Sequence, residues 1–260
     1  MAVISVALAA SSPRDRSSQP LDDARPVLLR QIVAQTLPNP YFHFTYDSLR
    51  YVKNINFASG FNIYNVEYDN KRVIKMVNSK DGNYLIYSYR DKQVSEINEF
   101  SGLTKQKIFS YRFCYNAEQQ LVRVLWFDFF NDGNGNLFKK SELSYQADGN
   151  LSIMDHYTVA AGQVNWIKTV QFSQYDNKTN VDDFSLLGDF FDTFLFLPQV
   201  KLQKNNPGRQ LVTTPEGDFE MAYTYRYEKN LPVEKTATVK ERGENVNGEL
   251  AGTATAFNYY

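Results

Sequence analysis

The chain has 260 residues, 43% of them apolar and 15% aromatic, and its 28 Lys plus Arg against 29 Asp plus Glu leave a net charge of −1. That much apolar side chain excludes a chain too polar to fold, and the balanced charge lacks the basic footprint of a nucleic-acid-binding surface. The single cysteine, Cys114, excludes an intrachain disulfide and a cysteine zinc site.

Residues 1–25 read as an export-signal remnant followed by a flexible linker. "MAVISVALAAS" is apolar apart from its serines and carries Ala7-Leu8-Ala9, a small-x-small cleavage pattern without a positive n-region. "SSPRDRSSQPLDDARP" is a polar, Pro-containing linker. No apolar run approaches the roughly 20 residues of a membrane-spanning helix. Residues 26–260 are expected to form one domain. Its first element, "RPVLLRQIVAQTL", predicts a short helix through Leu28, Leu29, Ile32 and Val33.

From residue 42 a repeat begins. Phe42, Phe44 and Tyr46 alternate, "DSLR" follows, and apolar residues return at Val52 and Ile55. The same unit recurs at Tyr68 with Val73 and Met76, and at Tyr89 with Val94 and Ile97. It recurs again at Tyr115 with Leu121 and Val124, at Tyr145 with Leu151 and Met154, and at Tyr175 with Val181 and Phe184. The intervening residues are turn formers, whose Asx side chains bond their own backbone and whose Asn and Gly accept positive φ. Each unit therefore predicts a β-hairpin, and consecutive hairpins make an antiparallel meander. Period-2 alternation is clearest late in the chain. Phe219, Met221, Tyr223, Tyr225 and Tyr227 share one face, with Glu220, Ala222, Thr224 and Arg226 on the other. The predicted fold class is mainly β, a large meander curled into a barrel-like sheet because long open sheets leave edges exposed.

One helix is predicted at about 183–197, in "DDFSLLGDFFDTFLFLP". Phe184, Leu187, Phe191, Phe194 and Leu195 fall on one face, Asp182 or Asp183 caps the start, and Pro198 ends it. It reads as a plug packed against or inside the sheet; the alternative is a lid over an apolar ligand. Phe191 and Phe194, with Tyr223 and Tyr225 on the concave face, are the candidate ligand-binding residues.

"YDNKTN", "LP", "KNNPGRQLV" and "YTYRYEKNLPVEKTATV", after the tyrosine-turn hairpins and before the closing "FNYY", resemble exported, lipoprotein-like proteins of Bacteroidetes. That family is a domain of unknown function with a porin-like fold, and the likeness covers residues 40–260. It implies a barrel-like antiparallel sheet and a place in the periplasm or at the outer cell surface. It supplies no catalytic residue. Its members often carry a lipid-modified Cys after the signal, and no such Cys stands here.

Catalytic chemistry is not legible. His43 and His156 lie 113 residues apart, and His43 reads as a solvent-facing strand residue opposite Phe42 and Phe44. No nucleophile elbow, zinc helix or phosphate loop occurs. "NDGNGNL" at 131–137 lacks the spaced carboxylates of a calcium loop and reads as a long hairpin turn. Asp128, Asp155, Asp176 and Asp189 offer no pairing for glycoside hydrolysis. Trp126, Trp166 and Tyr157 are read as sheet packing, with stacking on sugar rings as the alternative. Charges at Lys75, Glu96, Arg112, Lys168 and Arg226 within strands argue against an outer-membrane barrel. The expectation is a non-enzymatic exported cell-envelope protein with a binding or surface-scaffold role, without cofactor or metal. The alternatives are a carrier of an apolar, lipid-like ligand on the concave face and a carbohydrate-active enzyme. A glycan or lipid-like partner is expected, and nucleic acid is not.

Overall fold

The computed structural model describes residues 27–130, 133–181, 195–242 and 249–260. Sixteen strands lie among them. The first nine are short: β1 (Leu29–Ala34), β2 (Phe42–Tyr46), β3 (Val52–Phe57), β4 (Asn62–Asp69), β5 (Arg72–Asn78), β6 (Tyr84–Arg90), β7 (Gln93–Phe100), β8 (Lys107–Tyr115) and β9 (Leu121–Asp128). The remainder are longer: β10 (Asn136–Tyr145), β11 (Leu151–Ala160), β12 (Gln163–Thr179), β13 (Asn205–Thr214), β14 (Gly217–Glu228), β15 (Leu231–Arg242) and β16 (Glu249–Tyr259). Every strand pairs antiparallel with its sequence neighbour, and β1 pairs with β16 through Ile32↔Phe257 and Val33↔Ala256, so the sheet closes into a barrel. Closure leaves no edge strand to protect.

Both predicted helices are affected. Residues 29–34 form β1 rather than a helix, because closing the ring demands a strand between β2 and β16. The apolar spacing that fits a helical face also fits this strand, where a bulge between Leu29 and Gln31 lets Leu29 and Ile32 both turn inward. The 183–197 helix lies largely outside the described residues, and the described part, 195–197, is not helical. Among the described residues the helical element is the 3₁₀ turn Ala58–Gly60.

The tyrosine repeat has a structural meaning that its spacing alone does not convey. Each repeat Tyr sits on the inner face beside a β-bulge, as at Tyr46, Tyr68, Tyr89, Tyr115 and Tyr145. From there its hydroxyl donates to a backbone carbonyl on the preceding hairpin. Tyr46 reaches Leu29, Tyr68 reaches Val52, Tyr89 reaches Val73, Tyr115 reaches Val94, Tyr145 reaches Leu121 and Tyr175 reaches Leu151, all at 2.6–2.9 Å. Tyr225 and Tyr259 continue the series to the carbonyls of Pro207 and Pro232 at 3.0 and 2.6 Å. The apolar residue after each turn is therefore both a core residue and the acceptor for the next rung. Burial raises the phenols of Tyr46, Tyr68, Tyr89, Tyr115 and Tyr259, that of Tyr46 to about 12, so these remain protonated donors at neutral pH.

The turns follow the chemistry predicted for them. Asp47 Oδ1 accepts from the amides of Leu49 and Tyr51, and Asn116 Oδ1 from that of Gln120. Asn70-Lys71 and Lys229-Asn230 adopt positive φ at both positions, as tight two-residue hairpins require. Replacing one ladder phenol, as in Tyr89→Phe, should cost about 1 kcal/mol in urea unfolding. Two such changes at distant rungs, Tyr68→Phe with Tyr175→Phe, should add.

The sixth repeat departs from the pattern. After Tyr175 the register jumps, Tyr175↔Pro207 being followed by Thr179↔Asn205; β12 ends at Thr179, β13 begins at Asn205, and the described residues 195–204 before it belong to no strand. "DNKTN" is thus part of a bulged strand and not a hairpin turn. Its return is fixed by buried amides. Asn150 Oδ1 accepts from the backbone N–H of Lys204 and Asn205 at 2.9 Å each, and Asn180 Nδ2 donates to Gln203 Oε1 at 3.1 Å. Asp176 Oδ1 accepts from the Asn206 amide at 3.1 Å, and the Tyr227 hydroxyl donates to the other oxygen of Asp176.

Candidate binding site in the barrel interior

Strand parity puts the apolar residues inside. On β2–β9 the inward side is sealed: Phe44, Ile55, Val73, Met76, Ile97 and Val124 are all 0% exposed. One continuous core joins them to Leu195, Phe196 and Leu202 from the segment before β13. The Tyr87 hydroxyl on β6 donates to the Phe196 carbonyl at 2.9 Å, although β6 lies six strands round the wall from β12. The described end of that segment therefore crosses the lumen and plugs it. A cavity of about 430 Å³ lies beside it, lined by Leu29, Val181, Leu195, Phe196, Leu197 and Leu202 with Asn180, Gln199 and Lys201.

The inner wall of β13–β16 is lined but not filled. Phe219, Met221, Tyr223, Tyr225 and Tyr227 are half-buried on the face that the alternation predicts, while Ala222, Thr224 and Arg226 on the other face are exposed. Val212, Val239 and Thr255 flank them and are also half-buried. Tyr223 donates to Gln210 Oε1 at 2.7 Å, and Lys235 Nζ lies 5.4 Å from its ring centroid. The Tyr225 ring stacks on Tyr227 with centroids 5.9 Å apart. The arrangement is an amphipathic aromatic wall: flat rings for apolar contact, with hydroxyl, amide and ammonium groups between them. Of the four predicted ligand-binding residues, Tyr223 and Tyr225 are brought together here. Phe191 and Phe194 lie outside the described residues.

Between the sealed and open sides runs a polar strip that sequence reasoning missed. Ser141 is fully buried and His156 nearly so, and Ser141 Oγ and His156 Nδ1 share a hydrogen bond of 2.7 Å. Lys168 is the register partner of His156. Burial, reinforced by Lys168 and Lys139, pushes the imidazole down to about 3, and burial also lowers the Lys168 ammonium. Lys139 Nζ lies 5.1 Å over the Trp126 ring, which is buried on the inner face. On β8 beside Trp126, its register partner Tyr111 donates to Glu99 Oε2 at 2.7 Å, and burial raises that carboxyl. Only a buried polar residue in an otherwise alternating strand could have marked this strip from sequence, and Ser141 and His156 are too ordinary in type to stand out.

The outer wall is of opposite character. Cross-strand ion pairs are spread round it: Glu67–Lys75 at 3.4 Å, Glu96–Arg112 at 3.0 Å, Arg123–Glu142 at 3.3 Å, Arg209–Glu220 at 2.7 Å and Arg226–Glu234 at 3.2 Å. Each contributes little to stability; their positions are the informative part. Of the five strand charges noted in the sequence, Lys75, Glu96, Arg112 and Arg226 are on this wall, whereas Lys168 turns inward. His43 is half-buried on the outward face of β2, as expected, and Cys114 is a half-buried strand residue. Among the described residues no group of three His, Cys, Asp or Glu side chains is placed to hold a metal ion. Of the four acids noted, Asp155 is on the outer wall, Asp176 holds the β13 return, Asp128 meets Asn136 at the β9–β10 end, and Asp189 lies outside the described residues.

The chain closes into an antiparallel barrel of porin-like fold. Two solved structures share it: a porin-like protein from Bacteroides uniformis ATCC 8492, and another from Bacteroides vulgatus ATCC 8482. The first is 14% identical over 84% of this chain and 89% of its own, with a TM-score of 0.55. The second is 11% identical over 90% of this chain and 99% of its own, with a TM-score of 0.60. At such identities the likeness is one of fold, and it agrees with the porin-like fold that the sequence motifs imply. No protein-family model and no curated protein sequence matches the chain.

Proposed function

We propose that this chain is a non-enzymatic, exported cell-envelope protein that stands in water and binds an apolar or amphipathic small molecule on the concave face of β13–β16. The observation that carries the reading is the contrast within one lumen, sealed on β2–β9 and half-exposed along Phe219, Met221, Tyr223 and Tyr225. Half-buried aromatic and thioether side chains facing inward gain from covering by an apolar ligand, and the hydroxyls between them orient a polar end. The cavity beside Phe196 falls in the size range of small-molecule sites. The water-facing placement rests on the outer wall, whose cross-strand ion pairs would face lipid in a membrane barrel. Among the described residues no helix is long and apolar enough to cross a membrane. The non-enzymatic reading is supported by Ser141: among the described residues it is the hydroxyl paired with a histidine, and at 0% exposed it is out of reach of any substrate carbonyl.

The uncharged fluorophore N-phenyl-1-naphthylamine tests the reading by titration into purified protein. Saturable enhancement is expected, lost in Tyr223→Ala and in Met221→Lys, and retained in Thr224→Lys, whose side chain faces outward on the same strand. Equal enhancement in all three variants, or none in the wild type, would refute a concave-face site.

A further inference from the structure

The outer wall is not uniformly charged. Where most of it carries ion pairs, the end of the β11–β12 hairpin presents Tyr157 opposite Trp166 and Val159 opposite Val164, all on the outward face. Trp166 is 39% and Val164 52% exposed. The indole is not loosely placed. Its Nε1–H donates to Thr169 Oγ1 at 3.0 Å, and the Thr169 hydroxyl donates onward to Asp155 Oδ1 at 2.5 Å. On the far side of Tyr157, Lys140 Nζ sits 4.5 Å from the ring centroid.

The register leaves one flank of the tryptophan open. β12 pairs with β13 from Thr169↔Thr213 onward, and among the described residues no strand pairs with its residues 163–168 on that side. Lys140, Tyr157 and Trp166 are consecutive register neighbours, with Trp166 the last of the row among the described strand pairings. The result is a shelf with a rigidly held ring at its free edge.

The geometry points to a neutral hexopyranose saccharide as the occupant, a function beyond the concave-face site and independent of it. A pyranose has one face of C–H groups, slightly positive, which packs on the negative face of an indole, and a rim of hydroxyls that needs both donors and acceptors. Arg123 and Lys140 supply donors and Glu142 and Asp155 acceptors, and their charges cancel, which favours an uncharged ligand over an anion or cation. A protein partner fits less well, since a stable interface covers about 800 Å² on each side and the wall around these four apolar residues returns at once to ion pairs. Holding the indole in place before binding removes an ordering cost that a free side chain would impose.

The chain has two tryptophans, and the other, Trp126, is buried, so a Trp126→Phe background leaves Trp166 as the reporter. Titration with maltohexaose, cellohexaose and mannohexaose should give a saturable change in its emission with at least one of them. By calorimetry, Trp166→Ala should weaken that binding by more than about tenfold. Thr169→Val, which keeps the shape but frees the indole, should weaken it several-fold without changing the unfolding midpoint, and neither variant should alter naphthylamine binding on the inner wall. Absence of binding to all three at millimolar concentration, or affinity unchanged in Trp166→Ala, would overturn the assignment.

Discussion

Phe196→Ala should destabilise the protein by about 3–5 kcal/mol, because it removes a large ring from a closed core and leaves a cavity that the rigid wall cannot collapse to fill. The side chain is 8% exposed and belongs to the same apolar cluster as Phe44, Met76 and Ile97 on the far wall. Tyr87→Phe attacks the same contact differently. It strips the hydroxyl donor from the Phe196 carbonyl and should cost about 1 kcal/mol, the net worth of a typical hydrogen bond. Since both changes loosen one segment, the double variant should lose less than the sum of the two. Urea unfolding with an unchanged m-value would report these as stability losses. A segment resting only at the mouth of the barrel would instead give a Phe196→Ala cost near that of a surface change, within about 0.5 kcal/mol. The choice between plug and lid, posed by the sequence at Phe191 and Phe194, is thus tested at Phe196, two residues further on.

What could be read from the sequence was the part governed by local rules. The hairpins at Tyr46, Tyr68, Tyr89, Tyr115 and Tyr145 follow from period-2 alternation and Asx turns, and all five occur where expected. The face shared by Phe219, Met221, Tyr223 and Tyr225 follows from the same period, which is how two candidate site residues were found. Long-range requirements were not legible. β1 looks helical until the partner it needs on β16 is known, 225 residues later at Ile32↔Phe257. The sixth tyrosine unit carries the turn signal of the other five, yet its turn residues run on as bulged strand. The amides that hold its return, Asn150 and Gln203, make their bonds 55 and 23 residues away. A turn motif fixes a few dihedral angles; it does not say which strand will be waiting on the other side.

Inner and outer surfaces divide the work in a way that the fold name alone would not convey. A membrane barrel needs an apolar exterior and tolerates a polar lumen; here the apolar side chains face in and the ion pairs face out. The inside-facing tyrosine hydroxyls take over part of the backbone hydrogen bonding at the bulged rim, on a barrel whose interior is closely packed on one side and lined but open on the other.

Acidification should unfold the protein early, through His156. The imidazole is neutral in the native lumen, held down at about 3 by burial and by the Lys168 and Lys139 ammonium groups. In the unfolded chain the same group titrates near 6.5. Below that pH the unfolded state takes up a proton that the native state refuses. The histidine's contribution is therefore intact above about pH 6.5 and is lost progressively as pH falls toward 3. The loss approaches about 1.4 kcal/mol per pH unit, or about 2 kcal/mol between pH 7 and pH 5. Glu99 works in the opposite sense: its raised carboxyl favours the native state at low pH, and that contribution fades as pH rises through the folded value. The difference between wild type and His156→Gln isolates the histidine from Glu99 and every other acid. The variant, which keeps a hydrogen-bonding partner for Ser141, should be less stable than wild type at pH 7. It should lose about 2 kcal/mol less on going to pH 5, so that the two stability curves converge or cross. Parallel curves over that range would mean that the imidazole takes up its proton inside the barrel, and that the lumen beside Lys168 is wet rather than sealed.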